Sequence, residues 1–426
     1  MITRHFLHII LLLLAICSAC NFEALESEQL PSFDKLYAVS ENVEAIDFIC
    51  KPESTGYIVV GNLKSEENSD IIVINVANNG LQRSLYQITT DFYDEAVSVK
   101  FNEADNSVYI MGNRRTDQSQ VNVNQNILIK TNLDGIPARA SNANIEDSLS
   151  AEIKTLGVNQ NRIVQLNDFL ILPPNIICVG NIRQSSSGNL NRYTQIFDLT
   201  AMDFNDKNDS IITAIRQKPD DIVFNNSTDF KIRKGNTPNR LYEVLGQNFS
   251  ENPNGSVSGS SDNISWHIYS DLNSTASEII YIGSDQNEEF GDILYHSNGK
   301  NYIAGNYIDN DSIFLISKDY NGKNNNEIQS IYSFSEFGNK ITSLTEDGDG
   351  NIIISTIDEG SANHISYLLK FSQSGTQLEG QNFMFNSTGF YDIQKIVNEG
   401  GNSLVILSHK TFDNNSTAIG LMKINF

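Results

Sequence analysis

The chain has 426 residues and carries 52 acidic against 29 basic side chains, a formal charge of −23 at neutral pH. That balance argues against nucleic acid as a partner, because phosphate binding needs clustered Lys and Arg. A single domain of this length is unusual unless the fold grows by repetition, so internal repeats are the first pattern to look for.

The first twenty residues, MITRHFLHIILLLLAICSAC, combine a basic start at Arg4 with an apolar run from Phe6 to Ile16. A helix needs about 20 apolar residues to cross the hydrocarbon core, so this run reads as an export signal. Its end, Ser18-Ala19-Cys20, resembles the lipobox of bacterial lipoproteins, in which cleavage precedes a Cys that is then acylated. Cys17 stands where that pattern usually has Leu. The resemblance implies that residues 1–19 are a signal peptide and that Cys20 carries palmitate-type acyl chains. At ~0.8 kcal/mol per buried methylene, several chains anchor stably where one is marginal. Residues 20–33 read as a polar tether. Cys50 and Cys178 sit inside apolar strand patterns and read as buried free thiols; no metal-type Cys spacing occurs.

From residue 34 onward one pattern returns. An apolar burst closes on a small residue at Gly61, Gly112, Gly180, Gly246 and Gly305, then at Ser355 and Ser408, every 50 to 68 residues. Each repeat holds short β-rich runs separated by turn residues, without sustained helical periodicity. Seven repeats of four short strands predict an all-β fold, a seven-bladed β-propeller over residues 34–426. The last repeat stops one strand short at Phe426, while DKLYAVSE (34–41) precedes the first as a strand without a partner. Pairing the two would close the ring and leave no free sheet edge. Ser at two marker positions points to a size limit, set by close backbone approach or a bulge, rather than to a positive φ. The residue after the marker is expected to bond its own loop.

Antiparallel alternation puts the one-to-two and three-to-four turns on one face and the two-to-three loops on the other. The first set is tight throughout, as in EADN, NGK and DGDG. The second carries LKSEENS, RRTDQSQVNVNQ, IRQSSSGNLNR and NFSENPNGSVSGSSDN. Variable loops mark the recognition surface. The binding-face candidates are therefore Glu66, Glu67, Arg114, Arg115, Arg183, Tyr307 and Asp309. DGDGN (347–351) has alternating carboxylates, but Ile352 stands where a calcium loop needs Gly, so it reads as a hairpin turn. No nucleophile elbow, zincin pattern or cofactor motif occurs, and Trp266 reads as core.

As a whole, the chain resembles the propeller-type lipoproteins common in Bacteroidota, with delta-60-like repeats clearest in the first, second and fifth blades. That resemblance implies an outer-membrane lipoprotein held by its N-terminal lipid. The function expected is non-enzymatic binding or scaffolding, with an envelope protein or glycan taken on the loop-rich face. The alternative is a polysaccharide-acting enzyme, a glycoside hydrolase or lyase, with carboxylates near the central channel.

Overall fold

The computed structural model describes residues 32–40, 42–65, 68–115, 125–138, 153–156, 163–183, 190–202, 211–212, 216–219, 230–237, 239–247, 264–272, 276–282, 288–307, 312–319, 330–334, 338–358, 365–378, 383–385 and 390–425. Cys20 and the leader lie outside them. Among the described residues no helix is long and apolar enough to cross a membrane.

All but one of the described strands fall into seven antiparallel groups of four; the two-residue strand Ile211–Ile212 pairs parallel with Ile153–Leu156. The first group is Val43–Cys50, Gly56–Lys64, Ser69–Ala77 and Gln82–Ile88; the second is Tyr93–Asn102, Ser107–Arg115, Gln125–Thr131 and Ile153–Leu156. The third is Ile163–Leu172, Asn175–Arg183, Leu190–Asp198 and Arg216–Pro219, and the fourth Phe230–Thr237, Arg240–Gln247, Ile264–Tyr269 and Glu278–Ile282. The fifth is Glu288–Tyr295, Lys300–Tyr307, Ser312–Asp319 and Ser330–Phe334, and the sixth Lys340–Glu346, Ile352–Asp358, Ile365–Phe371 and Phe383–Phe385. The seventh has three consecutive strands, Phe390–Gly400, Ser403–Thr411 and Thr417–Asn425. Its fourth comes from the other end of the chain: Phe33–Ser40 pairs antiparallel with Thr417–Asn425, Phe33 opposite Lys423 and Tyr37 opposite Ile419. The first two groups form one continuous sheet through a single parallel pair, Ser69 with Tyr93.

The apolar bursts are continuous, not alternating, because the second strand of a group is covered on both faces. In the first group Tyr57 and Val59 pack toward the seventh group, while Ile58 and Val60 pack toward the second. The other seams repeat this. Met111 and Phe169 join groups two and three, Val179 and Val244 three and four, and Trp266 and Phe290 four and five. Ala304 and Ile354 join five and six, and Ile353 and Ile406 six and seven. Each seam thus has its own apolar cluster, and the cluster between the seventh group and the first includes Phe33 and Tyr37 from the N-terminal strand. Trp266 is fully buried, with its indole N–H donated to Glu243 Oε2 at 2.8 Å. Cys178 is buried, Cys50 is half-buried and both thiols are free.

The marker position has a steric cause. Opposite Gly61, Gly112, Gly180 and Gly305 the first strand of the group skips a residue, between Ala45 and Asp47, Ala96 and Ser98, Leu166 and Asp168, and Phe290 and Asp292. The bulge pushes a carbonyl toward the marker. A Cβ would meet the Glu44 oxygen at 2.5 Å, Glu95 at 2.8 Å, Gln165 at 2.1 Å and Glu289 at 2.2 Å. None of these glycines has a positive φ. In the sixth group the register shift faces Thr356, which pairs with Ile341, so the equivalent position is Thr356 and not Ser355. Gly305→Ala is expected to lower the unfolding midpoint by a cost of about 1–3 kcal/mol, since overpacking against backbone has no side-chain escape. Urea titration with no measurable change would remove the bulge carbonyl as the reason for the small residue.

Candidate functional site

The first strands of the groups are where charged side chains concentrate. At the pairing position after the one that faces the marker, the first strands present one residue each: Asp47, Ser98, Asp168, Lys231, Asp292, Ser343 and Lys395 in groups one to seven, past a bulge in every group but the fourth. Lys100, two residues beyond Ser98, adds a third ammonium to three carboxylates.

These charges are matched to one another. Lys395 Nζ lies 2.5 Å from Asp47 Oδ1 and donates to the Phe48 carbonyl at 3.0 Å, joining the seventh group to the first. Lys100 Nζ sits 3.1 Å from Asp168 Oδ1 and 5.9 Å from the Phe169 ring centre. Burial opposes the charge on Lys100, but Asp168, Asp47 and Asp292 outweigh it and raise its pKa. Lys231 is exposed to solvent; partial desolvation opposes its charge, and Asp292, Asp168 and Asp47 outweigh that and raise its pKa too. Burial would lift the Asp47 carboxyl, yet Lys395, Lys100 and the Val99 N–H hold it down at about 2.

The same carboxylates stitch seams. Asp47 Oδ2 accepts the Val99 N–H at 2.9 Å and the Ser98 hydroxyl at 3.0 Å. Asp168 Oδ2 accepts the Ile232 N–H at 3.2 Å, and Asp292 Oδ2 the Leu344 N–H at 2.9 Å. Ser343 Oγ takes the Ile396 N–H at 3.3 Å. In two cases the other oxygen caps the next residue of its own strand, Phe48 at 2.8 Å and Phe169 at 2.9 Å.

A second layer comes from the Asn after the marker. Asn62 Oδ1 accepts the Ala96 N–H at 2.8 Å, Asn113 Oδ1 the Leu166 N–H at 3.0 Å and Asn306 Oδ1 the Ile341 N–H at 2.9 Å. The expectation that this residue bonds its own loop is corrected: it is buried and bonds the first strand of the next group. Between groups four and five the stitch is Arg233, which donates to Asn301 Oδ1 at 3.1 Å and lies 3.2 Å from the Tyr295 ring centre.

The binding-face candidates fall as follows. Arg114 is buried; its Nε and NH2 grip Asp94 Oδ1 and Oδ2, each at 2.7 Å, and its guanidinium lies 4.6 Å from the Phe92 ring centre. Arg115 pairs with Glu95, and Lys64 bridges Glu44 at 2.9 Å and Glu95 at 3.3 Å. Tyr307 is buried against Phe314 with ring centres 5.0 Å apart. Arg183 ends a strand, its backbone paired with Leu190 and Ile163. Glu66, Glu67 and Asp309 lie outside the described residues. The structure thus turns Arg114, Arg115 and Tyr307 toward partners in their own chain.

DGDGN closes a hairpin. Asp347 Oδ1 accepts the N–H groups of Asp349 at 2.9 Å and Asn351 at 2.7 Å, and Lys370 Nζ stands 2.7 Å from Oδ2. Burial opposes the charged form of Asp347, but these bonds, led by Lys370, lower its pKa. Its oxygens are spent on the turn.

No protein-family model matches the chain, and no curated protein matches it. Solved structures resemble it over almost its whole length. A PL25 ulvan lyase, a polysaccharide lyase, superposes with TM-score 0.54 at 11% identity, covering 92% of this chain and 95% of that one. The polysaccharide lyase Uly1 gives 0.51 at 9% identity, with 95% and 94% covered. A protein of unknown function from Dyadobacter fermentans gives 0.50 at 9% identity, with 94% and 100% covered. At such identities the likeness shows the fold, all-β and propeller-like.

Proposed function

We propose that the seven groups are the blades of a closed β-propeller. In this reading it is carried as a lipoprotein on the bacterial outer membrane and serves as a non-enzymatic binding or scaffold protein, taking an envelope protein or glycan on its loop-rich face. The observation that carries this reading is the engagement of the axial carboxylates. Asp47 and Asp168 are committed to Lys395 and Lys100, and all three, Asp292 included, to backbone N–H groups of the next group. A carboxylate acting as acid, base or nucleophile needs a lone pair or proton facing the substrate. These instead neutralise and sew the centre.

The fold likeness to two polysaccharide lyases supports the second reading, an enzyme acting on polysaccharide. The two separate in one experiment. Purified full-length protein is incubated with envelope glycans and with anionic polysaccharides, alongside a variant whose 248–263 segment is exchanged for a Gly/Ser linker. The binding reading expects stoichiometric capture that the exchange abolishes, with no new reducing or unsaturated ends. Catalytic release of such ends by the intact chain, lost in Asp168→Asn, would establish the enzyme instead.

A further inference from the structure

The chain enters its first strand from one identifiable side. Ser32 donates its backbone N–H to the Lys423 carbonyl at 2.8 Å and its hydroxyl to the same oxygen at 3.1 Å. Lys423 is near the end of its strand, where Asn425 pairs with Ser403, the first residue after the turn at 401–402. Beside it, the Tyr37 hydroxyl donates to the Gly80 carbonyl at 2.6 Å, and a Cβ on Gly80 would fall 2.6 Å from Phe33 Cδ2. Both neighbours, 401–402 and 78–81, are short turns of the one-to-two and three-to-four kind.

The strand leaves at the opposite side. Ser40 accepts from the Thr417 hydroxyl at 3.4 Å, Thr417 Oγ1 takes the Val43 N–H at 2.6 Å, and Asn42 accepts the Lys64 N–H at 2.9 Å. Lys64 ends the strand from which the first two-to-three connection departs. The connections 116–124, 184–189 and 248–263 leave their strands on this same side, after Arg115, Arg183 and Gln247. Strand 33–40 therefore runs from the short-turn side to the long-connection side.

We infer that the short-turn side lies toward the bilayer and the long-connection face is held away from it, displayed to partners beyond the membrane surface. This rests on the reading of Cys20 as the lipidated residue. Eleven residues, 21–31, separate that cysteine and its acyl chains from Ser32, a span of twelve Cα–Cα steps. A span of that many steps reaches at most ~40 Å for any chain, and an unconstrained chain of that length averages ~20 Å. The outer strand is 8 residues long, and strands rise ~3.3 Å per residue, so the two sides stand ~25–30 Å apart. To bring the far side onto the bilayer, the tether would run back along the whole outer edge, extended well past its average span. The near side needs no such extension.

The test uses full-length protein purified from envelopes and placed in vesicles that carry a quencher on the lipid headgroups. A fluorophore is attached at Asn402→Cys on the short-turn side or Asp413→Cys on the long-connection side, both exposed positions, in a Cys50→Ala background. Cys178 is fully buried and stays unlabelled. The proposal expects the 402 label to be quenched several-fold more strongly than the 413 label. Equal quenching, or the reverse order, in protein that floats with the vesicles while Cys20→Ala does not, overturns the orientation and leaves the anchor standing. A Cys20→Ala chain that floats as well as the parent, or a parent that fails to float, overturns the anchor and the orientation with it.

Discussion

Asp47→Ala is expected to cost about 3–5 kcal/mol of stability in urea denaturation, among the largest effects of any single axial substitution. Four donors lose their acceptor at once: Lys395 Nζ, the Phe48 and Val99 N–H groups and the Ser98 hydroxyl. Three of those donors belong to other groups, so the change opens two seams, seven-to-one and one-to-two. Removing one partner of a buried pair leaves the other charge uncompensated, which costs more than the pair contributed. Lys395→Met should cost less, because its side chain is 30% exposed. The double variant should recover part of the sum, a coupling in the ~0.5–3 kcal/mol range of residues that share a network. A loss below ~1 kcal/mol for Asp47→Ala would reduce the axial cluster to decoration.

The same residue fixes an acid limit. Its folded carboxyl stands at about 2, below the ordinary 3.8, so folding favours the ionised form. The stabilisation is complete above about pH 4 and is lost as the pH falls through 2. At 1.36 kcal/mol per unit it amounts to roughly 2 kcal/mol. Asp47→Asn should flatten the stability–pH curve across that window while other carboxylates keep their share.

A chain beginning at Asn42 is expected to lose more than about 5 kcal/mol and to aggregate. It removes Phe33 and Tyr37 from the seam between the last group and the first, and deletion of one buried aromatic costs about 3–5 kcal/mol. It also bares the whole edge of Thr417–Asn425, a row of unpaired N–H and C=O groups ready to take another chain. Light scattering and the urea midpoint measure both effects. A monomeric truncated chain of unchanged stability would show that the N-terminal strand is an accessory.

The strands themselves were legible because the propeller-like packing writes them as apolar bursts covered on both faces. KITSLTE is a strand over the very residues 340–346 where the pattern put it, and the missing fourth strand of the last group was found at 33–40. The axial cluster was not legible. Its three carboxylates are single Asp residues inside apolar runs, far apart in sequence, and nothing local reveals that they converge. The available signal was their recurrence after the bulge, in AIDF, NDF and GDI, as a charge set in an apolar strand, buried at Asp47 and Asp168 and half-buried at Asp292. The ion pair of Arg114 was not legible for a related reason: its partner, Asp94, stands across the hairpin and not beside it in sequence. The Ser355 assignment slipped by one residue because a bulge changes the count without changing the composition. Asn62, Asn113 and Asn306 followed the marker as expected, but their partners sit on the next group, a relation no single repeat contains.

Whether the two ends of the chain close one ring can be measured directly. Asp34 and Met422 are register partners on the terminal strands. Opposed residues in an antiparallel pair have Cα atoms about 4.5–5.5 Å apart, inside disulfide range. With Cys50→Ala, the pair Asp34→Cys and Met422→Cys should oxidise within one molecule, give the 34–422 cross-linked peptide and raise stability by up to about 5 kcal/mol. Thiols that stay reduced, or that link only between molecules, would contradict the closed ring and the single recognition face that rests on it.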